Sequence, residues 1–249
     1  MRGKYQVVLL ALFAMALLIV PTAARAGTNL GMQLSSSPQT VTICDNDINF
    51  TGCTESGGTD GDPTLGSMTY SGSVGDWSIN HTSGVGPPVL SFPSLLDLTN
   101  FSLTTGGGVN PITVMLTVTN LSGPLGNLTL FNNISGTSSF AGTTITVQSW
   151  LSTSNTAFCA SSTCGGGHGT LITNQSFTGI NWGGAISGTG ATGSGPYSIT
   201  LAVTFDSHGQ GDHSSFDDDL SIPEPATLSV LGAGLLALGT GLRKKLLRG

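Results

Sequence analysis

An antiparallel β-sandwich or a jelly roll is the architecture that residues 27–221 predict. Apolar and polar residues alternate over run after run, turn-forming clusters separate the runs, and no stretch shows the 3.6-residue period of a long amphipathic helix. Strands at this spacing that cannot bury both faces must pair into two layers over one core.

The first 26 residues read as a secretory signal peptide. Arg2 and Lys4 make a positive start, Val7 to Val20 is apolar, and Ala24-Arg25-Ala26 is a small-x-small cleavage pattern before Gly27. The first strand expected beyond it is Thr40 to Cys44, followed by a loop from Asp45 to Ser67. Further strands are expected at Trp77 to Asn80, Phe101 to Thr104, Ile112 to Val118, Asn127 to Phe131, Thr143 to Trp150, Thr170 to Phe177 and Tyr197 to Phe205. The clearest are Ile112, Val114, Leu116 and Val118 on one face, and the nine alternating positions of Tyr197 to Phe205. Thr, Val and Ile dominate these runs and suit a pleated, half-buried surface. Turn signals fall between them at Val85-Gly-Pro-Pro88, Gly106-Gly-Gly108, Asn110-Pro111, Ser122-Gly-Pro124 and Gly193-Ser-Gly-Pro196. Cys159 to Thr170 reads as a loop, Thr178 to Gly195 as a long mobile glycine-rich loop, and His208 to His213 as a hydrated loop after the last strand.

Charge is distributed in an unusual way. All seven basic residues lie at the two ends: Arg2, Lys4, Arg25, Arg243, Lys244, Lys245 and Arg248. Between Gly27 and Ile222 there are twelve acids and no Lys or Arg, so the body carries a formal charge of -12 within a chain of -6. Such a body repels nucleic acid and anionic lipid, and it has no lysine for catalysis. Nor is a catalytic frame visible: Glu55 is the body's sole glutamate, and no Gly-x-Ser-x-Gly stands in a strand–turn–helix setting. The body is expected not to be an enzyme.

Residues 222–249 form a second address. Pro223-Glu224-Pro225 is stiff and extended, because each proline restricts the residue before it. An apolar stretch, Leu228 to Leu242, has a length at the low end for a membrane span, and Arg243-Lys244-Lys245 follows as a basic stop on the cytoplasmic side. Part by part this resembles the PEP-CTERM sorting signal: the Pro-Glu-Pro motif, a short transmembrane helix and an Arg-rich end, here mixed with lysine. The resemblance covers about the last tenth of the chain. It implies a Gram-negative bacterium that makes exopolysaccharide, export through the inner membrane with signal peptidase and then an exosortase as partners, and a destination at the cell surface or in the extracellular matrix.

Within the body, Cys44 and Cys53, and Cys159 and Cys164, are close pairs that can form two local disulfides in an oxidising compartment. Asp45, Asp47, Asp60 and Asp62 offer carboxylate oxygens at alternate positions, the kind of ligand calcium accepts, although no EF-hand series is present. Trp77, Trp150 and Trp182 are candidate stacking platforms, with core burial favoured for Trp77 and Trp150 and exposure more open for Trp182. Two functions lead as expectations, with a secreted hydrolase the less favoured third. One is a non-catalytic structural or adhesive surface protein associated with exopolysaccharide. The other is a calcium-assisted carbohydrate-binding module.

Overall fold

A computed structural model describes residues 29–90, 93–123, 125–164 and 169–223. Both terminal addresses therefore lie outside the described residues, except for Ile222 and Pro223, with which the described residues end. Among the described residues there are twelve strands: β1 (Asn29–Ser36), β2 (Gln39–Cys44), β3 (Ser67–Val74), β4 (Trp77–Val85), β5 (Ser94–Gly106), β6 (Ile112–Leu121), β7 (Asn127–Ser138), β8 (Thr144–Ser152), β9 (Gly169–Thr178), β10 (Asn181–Ala191), β11 (Tyr197–Asp206) and β12 (Gly211–Ser221).

They make two six-stranded sheets. The first has the order β2-β1-β6-β11-β8-β9, the second β10-β7-β12-β5-β4-β3, and every pairing is antiparallel. From β5 onward the pairs are nested: β5 with β12, β6 with β11, β7 with β10, and β8 with β9. That nesting is a long hairpin rolled across two layers, which is the eight-stranded jelly roll. The hairpin β1–β2 widens the first sheet beside β6, and β3–β4 widens the second beside β5.

The core lies between the sheets, where the alternation places it. Ile112, Val114, Leu116 and Val118 of β6 meet Ile199, Leu201, Val203 and Phe205 of β11 in the same buried layer. Each such side chain removed from water stabilises by about 1.5–3 kcal/mol. An aromatic zipper joins the layers: Phe177 and Trp182 have centroids 5.7 Å apart, Trp182 and Phe205 5.9 Å, and Phe205 and Phe216 5.3 Å. These are favourable offset or edge geometries.

Two expectations are corrected. The glycine-rich stretch 178–195 is mostly β10, an edge strand, and Trp182 is buried at 7% exposure. Its inward glycines exist because the layers close on each other there. A Cβ on Gly188 would lie 1.9 Å from the Ile172 carbonyl oxygen, and one on Gly190 2.3 Å from Ile172 Cδ1. The stretch after β11 is also not all loop. Only a short turn precedes β12, which sits in the middle of the second sheet between β7 and β5. Two further strands, β1 and β3, had no sequence expectation of their own.

Candidate functional site

The outer face of the first sheet carries an ordered set of polar side chains. Strand register stacks its outward side chains in rows. One row runs Thr42, Gln33, Met115, Ala202, Gln148 and Asn174, and the next Thr40, Ser35, Thr113, Thr204, Thr146 and Ser176. Met115 and Ala202 are only 8% and 3% exposed although they point away from the core, so they form a floor between taller polar side chains. Trp150 stands half-buried at one end, with exposed Leu171 and buried Thr200 as its cross-strand neighbours.

Hydrogen bonds across the strands fix these groups. The Trp150 indole N–H donates to Gln148 Oε1 at 3.3 Å, and Gln148 Nε2 donates to Asn174 Oδ1 at 3.2 Å. Gln33 Nε2 donates to Thr42 Oγ1 at 3.1 Å, and the hydroxyl pairs Thr113–Thr204 and Thr146–Ser176 lie at 2.8 and 3.2 Å. Within these two rows there is no ionisable side chain. Asp206 and His208, 3.4 Å apart, stand beyond them near Thr144, whose hydroxyl is 3.0 Å from His208 Nε2. The arrangement holds neutral donors and acceptors in fixed positions beside an aromatic ring.

The two disulfides, Cys44–Cys53 and Cys159–Cys164, build the wall at the Trp150 end. Their loops meet over the sheet. A Cβ on Gly31 would lie 2.9 Å from Phe158, 3.2 Å from the Cys53 sulfur and 3.3 Å from Phe50, and one on Gly52 3.1 Å from Ala157. Thr117 and Thr200, outward-facing like the rows, are therefore buried and satisfy each other at 3.0 Å. Local pairing was the expected connectivity, and an oxidising compartment sustains it.

The acidic loop folds onto itself. Asp45 Oδ2 accepts from the Gly66 amide at 2.8 Å. Asp60 accepts from the amides of Asn46, Asp62 and Thr69 at 3.1, 2.9 and 3.0 Å. Asp62 accepts from the Thr64 amide and the Ser67 hydroxyl at 2.9 and 2.7 Å. Burial, reinforced by neighbouring carboxylates, raises the Asp45 and Asp60 acids, while the Ser67 hydroxyl lowers exposed Asp62. Asp47 ends the short turn Asp45–Asp47. The loop thus brings Asp45, Asp60 and Asp62 together, with their carboxylates accepting amide and hydroxyl protons from the loop itself. No group of three or more His, Cys, Asp or Glu suited to a metal occurs among the described residues.

Trp77 is a core residue, 1% exposed, with its indole N–H donating to the Asn110 carbonyl at 2.8 Å. Trp150 is thus the tryptophan on an accessible face. The residues that sequence reasoning passed over are its companions, Gln33, Met115, Gln148, Asn174 and Ala202. Gln148 and Asn174 were present as the polar half of their alternating runs, while Met115 and Ala202 are apolar residues facing outward and Gln33 lies on a strand with no sequence expectation; only register brings the five into line.

No family model matches the sequence, and no curated protein matches it. Solved structures are similar in fold. One is a carbohydrate-binding module of the β-sandwich superfamily with promiscuous specificity, at 14% identity and a TM-score of 0.37 over 79% of this chain and 73% of that one. A family 61 module solved with β-1,4-galactotriose has 12% identity and a TM-score of 0.32, over 64% of this chain and 88% of the module. A xylan-binding family 22 module from Paenibacillus barcinonensis has 8% identity and a TM-score of 0.31, over 66% and 89%. These three TM-scores are below 0.5, so any reading of this chain's face rests on its own residues.

Proposed function

We propose that the chain is an exported, non-catalytic surface or matrix protein that holds neutral polysaccharide on the outer face of its first sheet. The observation that carries this reading is the Trp150–Gln148–Asn174 relay above the Met115–Ala202 floor. A sugar ring has an apolar face for an aromatic side chain and a rim of hydroxyls for fixed amides and hydroxyls, and a few well-placed polar groups on an apolar floor set orientation. The absence of Lys and Arg from residues 27–222 favours neutral over anionic glycans. Support for export comes from the two disulfides and from the sequence resemblance at the C-terminus.

Affinity electrophoresis of the purified protein through gels containing neutral β-glucan, xylan or galactan, or anionic alginate, tests the reading. Retardation is expected in at least one neutral gel and not in alginate. Trp150→Ala should weaken it at least tenfold, about 1.4 kcal/mol, and Gln148→Ala with Asn174→Ala should do the same. Migration unaffected by every neutral polymer, or retardation indifferent to these substitutions, overturns the proposal.

A further inference from the structure

Asp218 occupies an environment that a carboxylate does not tolerate. It lies on β12, the third strand of six in the second sheet, and its side chain points into the sandwich with 0% exposure. Its cross-strand neighbours are Leu98 of β5 and Ile134 of β7. Asn132 of β7, also 0% exposed, brings its amide beside the carboxyl, yet neither Asp218 oxygen and neither Asn132 polar atom reaches good hydrogen-bond geometry. Asn100 and Thr82, buried nearby on β5 and β4, pair with each other, the Asn100 amide donating to the Thr82 hydroxyl.

The surrounding charge is of one sign. Asp217 and Asp219 flank Asp218 on its own strand, and Asp97 of β5 stands opposite Asp219. Thr99 links the outer pair, its hydroxyl 3.0 Å from Asp97 and 2.8 Å from Asp217. The neighbouring strand β7 contains no ionisable residue, nor do β6 and β8 of the facing sheet. Strand β11 has ionisable residues only at its ends, Tyr197 and Asp206. His213, further along β12, points outward to the Thr104 hydroxyl at 3.0 Å, and His81 is on β4. An ionised Asp218 would lack both water and a cation, with three carboxylates close by.

We infer that Asp218 is carried in the folded core as the neutral carboxylic acid beside Asn132, so that the second sheet is held together by a proton and loosens in alkali. Burial above all, and then the charges of Asp219, Asp217 and Asp97, push this acid well above the ordinary carboxylate value of 3.8, against the opposing pull of the Asn132 amide. The sign follows from linkage. The unfolded chain releases this proton near pH 4, while the folded chain keeps it. The stability that depends on it is full below the unfolded value and is lost as pH rises through the folded one. Because β12 is flanked by β7 and β5, its loosening would reach both halves of its sheet.

The test compares full-length wild type with Asp218→Asn and, as a control, Asp219→Asn, by denaturant unfolding from pH 5 to pH 9. Wild type and Asp219→Asn should lose at least tenfold in the folding constant over that range. Asp218→Asn, which keeps the shape and removes the titration, should lose much less and be the most stable of the three at pH 9. Infrared difference spectroscopy on wild type alone should show a protonated-carboxyl band that persists at pH 7 and bleaches as stability falls. Parallel pH curves for wild type and Asp218→Asn, or no such band at pH 7, would overturn the inference. If Asp218→Asn does not fold, the wild-type band decides.

Discussion

Two buried aspartates on β12 show how far local partners decide the fate of a charge. Asp212 has 0% exposure like Asp218, but it is surrounded by donors. The Ser138 hydroxyl lies 2.9 Å from both its oxygens, and the hydroxyls of Ser139, Thr143 and Ser214 lie at 3.0, 2.8 and 2.7 Å. The amides of Ser139 and Phe140 donate to it at 2.9 and 3.1 Å. Burial alone would raise this acid, but the hydroxyls of Ser214, Thr143, Ser138 and Ser139 outweigh it and hold the group below the ordinary 3.8. Here the linkage runs the other way. The stabilisation is present above the unfolded value and lost as pH falls through the folded one. Asp212→Ala should cost about 3 kcal/mol at neutral pH, because several buried donors lose their acceptor. Its stability should also fall less steeply than wild type's below pH 4, as urea unfolding at a series of pH values would show.

Among the elements, β10 and β12 are the two whose sequences mislead, and β10 does so through its glycines. Gly183, Gly184, Gly188 and Gly190 lower its intrinsic strand preference, yet it pairs with β7 over eleven consecutive residues. Close approach of β9 requires the inward glycines. Gly188→Val should therefore destabilise by about 2–3 kcal/mol through overpacking, a drop in Tm of several degrees for a chain of this size. Ser187→Ala, on the exposed side of the same strand, should leave Tm within a degree of wild type. Calorimetry of the two variants makes the comparison. The same contrast explains what could be read beforehand. β6 and β11 were legible because tertiary demand and local pattern agree in their Val, Ile and Leu alternation. β12 was not, because Asp212, Asp217, Asp218 and Asp219 read as solvent-loving while their neighbours make a central strand of them. Trp150 was visible as a stacking candidate, but its partners Gln148 and Asn174 are joined only by the β8–β9 register, which a single sequence does not specify.

For the molecule as a whole, the sandwich has two unlike poles. β1 begins beside the end of β6, and β12 ends beside the start of β5, where the Ile222 amide donates to the Pro93 carbonyl at 2.8 Å. The loops of both disulfides sit at this pole too, following β2 and preceding β9. If the residues after Ile222 act as the proposed sorting signal, intact-mass analysis of the exported protein should find Arg243 to Gly249 missing, and deletion of the exosortase gene should restore them. Secreted protein that keeps those residues would refute the trimming.

The shared pole gives the sandwich a handle and a head. A tether joined at this pole, whether a resin or a fused neighbour, would leave the opposite rim of turns unobstructed, and, if the proposed glycan binding holds, the Trp150 flank would lie along a polymer as a hook screwed into a wall presents its curve to the rope.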